Sequence, residues 1–156
     1  MARYVARNFP RLYHQSRLFH DALFSSTVPD YVLDAVSSQL SILRTPTVLR
    51  LEDGTFYGFE GCSNDRGCCE GSCTHVWNYA QAVAYLFPRL QRSMLEASLR
   101  TAMEPDGFVH FRMPLPLGAR PARRFFPAAD GQMGQVIQTY REWLISGDEG
   151  WLRRMW

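Results

Sequence analysis

The stretch Gly61 to Cys73, GCSNDRGCCEGSC, constrains the fold of this chain more than any other. It holds all four cysteines, and Ser63, Gly67, Gly71 and Ser72 follow its opening glycine. Neither the 3.6-residue period of a helix nor the alternation of a strand runs through it. Any fold must therefore place a structured loop here, between a segment ending at Glu60 and one beginning at Thr74.

Before the loop, Val48 to Glu60 alternates in two short runs around Glu52-Asp53-Gly54. Asp-Gly tolerates the positive φ of a tight turn, so a β-hairpin is predicted, with Glu60 at the end of its second strand. After the loop, Thr74 is placed to cap a helix through His75, Trp77, Ala80, Val83, Ala84 and Phe87, apolar on more than one side. Pro88 then begins a helix through Leu90, Met94, Leu95 and Leu99. Helical spacing also marks Pro10 to Phe24 and the stretch from Thr27 to Leu43, two helices expected to pair. Pro105-Asp106-Gly107 predicts a turn before a short extended stretch, Phe108 to Met113, and residues 114–121 read as a Pro/Gly loop. A last long helix, Gln132 to Ile145, carries Met133, Val136, Ile137, Tyr140 and Leu144 on one side; Gly147 ends it and Asp148 caps the next. The sum is a mainly α chain of five or six helices with short β-hairpin insertions and no internal repeat. Loops gather at one end of such an array, where scaffolds commonly carry chemistry.

With 46% hydrophobic residues in 156, the chain has the composition of a folded domain. Seventeen basic residues against fifteen acidic leave a net charge of +2, too little for a dedicated nucleic-acid binder, which must displace counterions from phosphates. Every basic residue is Arg, which excludes a Schiff-base lysine. No apolar run is long enough for a membrane span, and Arg3, Arg7 and Arg11 replace the apolar core of a signal peptide. These features favour the cytoplasm. Amphipathic material reaches both ends of the chain, and the expectation is a piece of a larger domain.

Three chemistries compete around the loop. Cys62, Cys68, Cys69, Cys73 and His75 are potential zinc ligands, although C-x5-C-C-x3-C-x-H lacks the paired C-x2-C knuckles of structural sites. Cys73 could be a nucleophile with His75, but residues two apart on one element point away from each other. In the third reading Glu60, followed by Gly61 and flanked by Phe56, Tyr57 and Phe59, holds a fixed carboxylate at an aromatic cleft. Retaining glycosidases use such a carboxylate as nucleophile, with an acid/base carboxyl about 5–5.5 Å away. Thiols packed as small hydrophobes, a turn glutamate and a core Trp77 are the plain structural alternatives.

The run EDGTFYGFEGC from Glu52 to Cys62, continued by GCCEGSCTHVWNYAQ from Gly67 to Gln81, resembles glycoside hydrolase family 116. That family contains the non-lysosomal glucosylceramidases and bacterial β-glucosidases. Weaker likeness continues through Leu86 to Leu90, Ala129 to Gln132, Tyr140 to Trp143 and Ser146 to Asp148, so the resemblance spans nearly the whole chain. It implies that residues 1–156 are the N-terminal portion of an (α/α)6 catalytic toroid, truncated at the C-terminal end and also at the N-terminal one. It further implies a retaining enzyme that needs no cofactor and acts on a carbohydrate or glycolipid, with Glu60 as nucleophile. The acid/base Asp would lie beyond Trp156, in the remainder of the domain. His75, Trp77, Asp130 and Thr74 would line the sugar site. The loop is longer than in the better-studied members, which keeps Glu70 as the fallback nucleophile. His75 stands where those members have an Asp that holds sugar hydroxyls, and Ala128-Ala129-Asp130 stands near the place of a sugar-contacting His. The alternative from another class is a non-catalytic helical module that binds glycans or protein, its loop stapled by a metal on Cys62, Cys68, Cys69, Cys73 and His75.

Overall fold

A computed structural model describes residues 2–60, 69, 71–121 and 126–155. The chain divides into two compact units, one ending at Gln39 and one beginning at Leu40. The mainly α class expected from the sequence holds, with a single hairpin among the described residues.

The first unit contains α1 (Ala2–Phe24) and α2 (Asp30–Gln39). Helix α1 starts eight residues earlier than the proline signal suggests and carries Pro10 in its interior, at the loss of one backbone hydrogen bond. Arg11 spans that region by donating to the Tyr4 hydroxyl at 2.9 Å and to Gln15 Oε1 at 3.2 Å. Pro29 opens α2, accepting from the N–H groups of Val32 and Leu33. The pairing expected for these two helices buries no residue of either.

The second unit begins with a 3-10 turn, Leu40–Arg44, and then the predicted hairpin of β1 (Val48–Arg50) and β2 (Phe56–Gly58). The strands are antiparallel, with Val48 opposite Gly58 and Arg50 opposite Phe56. Gly54 takes φ +88° in the turn, and Asp53 accepts the Thr55 N–H at 2.8 Å, so Asp-Gly acts as the sequence indicates. Tyr57 has no exposed surface, and its hydroxyl donates to the Met113 carbonyl at 2.8 Å.

Helix α3 (Thr74–Trp77) is one turn long and is separated from α4 (Gln81–Leu86) by Asn78–Ala80. The sequence pattern reads these as one helix. The break falls at Ala80, whose φ −78° and ψ 58° leave the helical range, while Asn78 keeps a helical backbone and its side chain donates to Asp130 O and accepts from Gln138. Cys73, not Thr74, occupies the N-cap position, and no side chain caps the helix. Helix α5 (Pro88–Thr101) starts at its proline as expected. Residues 103 and 109 form an antiparallel bridge around the Pro105-Asp106-Gly107 turn, which leads into the extended stretch through Met113.

Helix α6 (Ala129–Ser146) ends where Gly147 takes φ +66°, and Asp148 caps α7 (Glu149–Met155) by accepting the Trp151 N–H at 2.8 Å. The buried side of α6 is Gly131, Gly134, Gln135, Gln138, Thr139 and Glu142. Met133, Val136, Ile137, Tyr140 and Leu144 lie outward, 57–69% exposed. The helix thus turns its polar side to α5, where Gln91 donates to Gln138 at 2.8 Å and Gln135 donates to Ser98 at 2.5 Å. Three buried clusters hold the unit: Phe56, Trp77, Val83 and Met94; Tyr57, Ala97, Ala102 and Met113; and Leu95, Trp151 and Met155. Among the described residues no helix is long and apolar enough to cross a membrane.

Candidate functional site

Three extended segments are laced together at one end of the second unit. Gly58 N–H donates to the Ser72 hydroxyl and Gly58 O accepts the Ser72 N–H; Met113 N–H donates to Gly71 O, and Thr74 N–H donates to Phe111 O. The lacing brings the end of the hairpin, the start of α3 and the 108–113 stretch side by side. Helix α6 then closes on α3 through its two small residues. A Cβ added to Gly131 would lie 2.6 Å from Thr74 Oγ1, and one added to Gly134 would lie 2.1 Å from Asn78 Oδ1. Only glycine allows this approach, and the approach is what places Asp130 beside His75.

Glu60 is 22% exposed, and its Oε1 lies 2.8 Å from Arg112 Nη2. Arg112 also donates to the Cys69 carbonyl at 2.8 Å and lies over the Phe111 ring, 5.1 Å from its centre. Phe111 in turn stacks with His75 at 6.4 Å. His75 Nδ1 meets Asp130 Oδ2 at 2.6 Å, and the Tyr79 hydroxyl donates to the same oxygen at 2.7 Å, with its ring edge-on to the imidazole. An unbroken line of contacts therefore runs from Glu60 through Arg112, Phe111 and His75 to Asp130 and Tyr79.

The charges are set by these partners. The Tyr79 hydroxyl, and then His75 and the Gly131 N–H, hold the Asp130 carboxyl below its ordinary range against some desolvation. The same bond to Asp130 pushes the Tyr79 phenol up. Burial chiefly pushes the Cys73 thiol up, and its hydrogen bond to Glu60 does so further. Cys73 is thus a buried thiol whose surroundings disfavour the thiolate that a nucleophile needs. His75, committed to Asp130, does not serve it as a base.

Of the residues the sequence nominates, His75 and Asp130 meet directly, and Glu60 is linked to them through Arg112 and Phe111. Trp77 and Thr74 do not belong to an open sugar surface. Trp77 is 6% exposed in the core, edge-on to Phe56 at 5.2 Å, and its indole covers Gly58; Thr74 is buried against Phe111 and Gly131. The reason is helical geometry: with His75 turned outward, residues one before and two after it point inward. Glu70, Cys62 and Cys68 lie outside the described residues. Among the described residues no three Cys, His, Asp or Glu side chains converge as metal ligands, and Cys73 is in no disulfide.

Sequence reasoning missed Arg112 and Phe111 as parts of the site. The available signal was a lone Arg between Phe111 and Met113 in a stretch otherwise read as extended and apolar. A scan against protein-family models finds no match for this chain, and a comparison with curated protein sequences finds none either.

The Asp130 anchor gives a pH prediction. A carboxyl whose folded value is below its ordinary 3.8 adds stability that is present above that value and is lost as pH falls through the folded one. Asp130→Asn is expected to remove part of the acid-side loss of stability, so that its melting temperature falls less steeply than the wild type's below about pH 4. Thermal melts across the acid range check this, and parallel curves would show that the anchor does not couple to folding.

Proposed function

We propose that this chain supplies the nucleophile side of a retaining β-glycosidase site, carried on part of an (α/α)6 toroid. The observation that carries the reading is the continuous line from a half-enclosed carboxylate, Glu60, over an aromatic and cationic wall, Phe111 and Arg112, to a carboxylate-held imidazole, His75. Sugar recognition calls for just these parts: a fixed carboxylate below the ring, an apolar face for its C–H side and polar groups for its hydroxyls.

In the first step a Glu60 oxygen forms a bond to the anomeric carbon as that carbon's bond to the leaving oxygen breaks. The leaving oxygen takes a proton from the acid/base carboxyl. That group then removes a proton from water, whose oxygen displaces Glu60 and frees the sugar. In this reading the acid/base Asp is not among these 156 residues, and the substrate is a β-glucoside with a carbohydrate or lipid aglycone. Arg112 is the counter-ion and orienting partner of Glu60, and no cofactor takes part.

The test is covalent capture. The natural gene product containing this segment is incubated with a 2-deoxy-2-fluoro-β-glucosyl reagent, whose fluorine slows hydrolysis of the intermediate, and is digested for mass spectrometry. The expected result is one adduct on the peptide bearing Glu60, reduced to background in Glu60→Gln. An adduct on the peptide bearing Glu70 would move the nucleophile, and no adduct with either gluco or xylo reagents would overturn the reading.

A further inference from the structure

The sequence treats Asp130 as a residue that touches the sugar, but its oxygens are already occupied. Oδ2 takes the Tyr79 hydroxyl at 2.7 Å and faces His75 Nδ1 at 2.6 Å, while Oδ1 takes the Gly131 N–H at 2.9 Å. An ionised carboxylate has only lone pairs to offer, so the proton between it and the imidazole must sit on Nδ1. A neutral imidazole carries one N–H, and the other nitrogen is then an acceptor. The ring is 45% exposed, and among the described residues no hydrogen-bond partner occupies Nε2.

We infer that Asp130 is a positioning residue that fixes His75 in the Nδ1–H form, so that Nε2 presents a lone pair and the site meets its ligand by accepting a hydroxyl proton. The ligand class that fits is a neutral polyol, and its assignment as a sugar rests on the glycosidase reading. Anions that offer only lone pairs, such as sulfate, have nothing to give that nitrogen. Other groups packed on the ring agree with this assignment. Phe111 and Tyr79 flank it with aromatic rings, and the Tyr79 hydroxyl donates to Asp130 and not to the imidazole. Tyr79 thereby fixes the carboxylate that fixes the ring, a relay of two donors on one oxygen.

The experiment is long-range proton–nitrogen NMR on the chain labelled with 15N-histidine, at about pH 8.5, roughly two units above an ordinary imidazole pKa. The expected spectrum shows His75 protonated at Nδ1, with Nε2 at the shift of a bare nitrogen. In Asp130→Asn the preference should collapse toward a mixture, because a neutral amide can either accept or donate. Adding methyl β-D-glucopyranoside should shift Nε2 and leave the tautomer unchanged, whereas inorganic sulfate, which has no proton to donate, should leave Nε2 unmoved. A wild-type His75 protonated at Nε2 overturns the inference without recourse to any variant, and so does an unaltered tautomer in Asp130→Asn. A sulfate-induced shift of Nε2, or none with the glucoside, overturns the assignment of ligand class. The apo tautomer is independent of the labelling of Glu60, so failure of the relay and failure of the glycosidase reading are separable.

Discussion

Gly58→Ala is expected to destabilise the second unit by about 3 kcal/mol, the upper part of the usual range for overpacking, because nothing near the new methyl can yield. The added Cβ would lie 2.2 Å from Cζ2 of Trp77 and 2.8 Å from Cε2. Trp77 is itself packed against Phe56 within the cluster that includes Val83 and Met94, so moving the indole disturbs that whole cluster. Moving the strand instead breaks the two hydrogen bonds that Gly58 shares with Ser72. Urea unfolding measures the cost. Gly150→Ala is the control: that glycine is in α7, a methyl there would come no nearer than 3.4 Å to any atom, and the change should be neutral or slightly stabilising. A Gly58→Ala protein as stable as Gly150→Ala would mean that the indole does not lie across this strand.

The second large effect belongs to Arg92, which ties three elements together. Its guanidinium reaches Glu96 on its own helix at 3.3 Å, Glu142 on α6 at 3.4 Å and Asp148 at the cap of α7 at 2.8 Å. It also lies over the ring of Trp151, 4.8 Å from its centre, while the Trp151 indole N–H donates to Glu96 at 2.6 Å. Arg92→Met keeps much of the side chain's volume and removes the charge. Glu142 is buried and would lose the one nearby cation that most opposes its desolvation, and stripping one partner from such a pair costs roughly 3 kcal/mol.

The pH dependence of that deficit identifies its source. Burial already pushes the Glu142 carboxyl above its ordinary 4.5, and Arg92 is the first of the groups pulling it back. A raised carboxyl favours the folded state while protonated, and the advantage is lost as pH rises through the folded value. The Arg92→Met deficit, measured by urea unfolding, is therefore expected to be largest near neutrality and smaller near pH 4.5, where Glu142 can take up a proton. A deficit that does not change with pH would assign the loss to the packing on Trp151 instead of to Glu142.

What can be read from the sequence is whatever depends on neighbours along the chain. Asp53-Gly54 announces its turn, Pro88 its helix start, and Gly147-Asp148 its stop and cap, because each acts within four residues of itself. Glu60 is likewise nominated by its place after the hairpin aromatics, and His75 and Asp130 by the family resemblance. Their partners are not, since His75 meets a residue 55 positions away and Glu60 meets Arg112 52 positions away, and no local pattern records such pairs. Trp77 falls on the wrong surface in the sequence reading for a related reason. An aromatic on a one-turn helix serves a core or a cleft equally well until the bare backbone of Gly58 is seen beneath it. The division of one apparent helix into α3 and α4 is hidden in the same way, because alanine at position 80 is an ordinary helix residue whose sequence gives no sign of its non-helical backbone.

Helix α6 shows what decides how a helix docks when water does not. Rolled half a turn about its axis, it would hide Met133, Val136, Ile137, Tyr140 and Leu144 against α5 and expose its amides, the orientation that transfer free energy alone would select. The observed roll angle is keyed by shape: the notch at Gly131 and Gly134 accepts Thr74 and Asn78 with no clearance to spare, and a rolled helix would offer branched side chains in its place. Glycine is thus the address label of this helix, and its oily stripe carries no vote in where it sits.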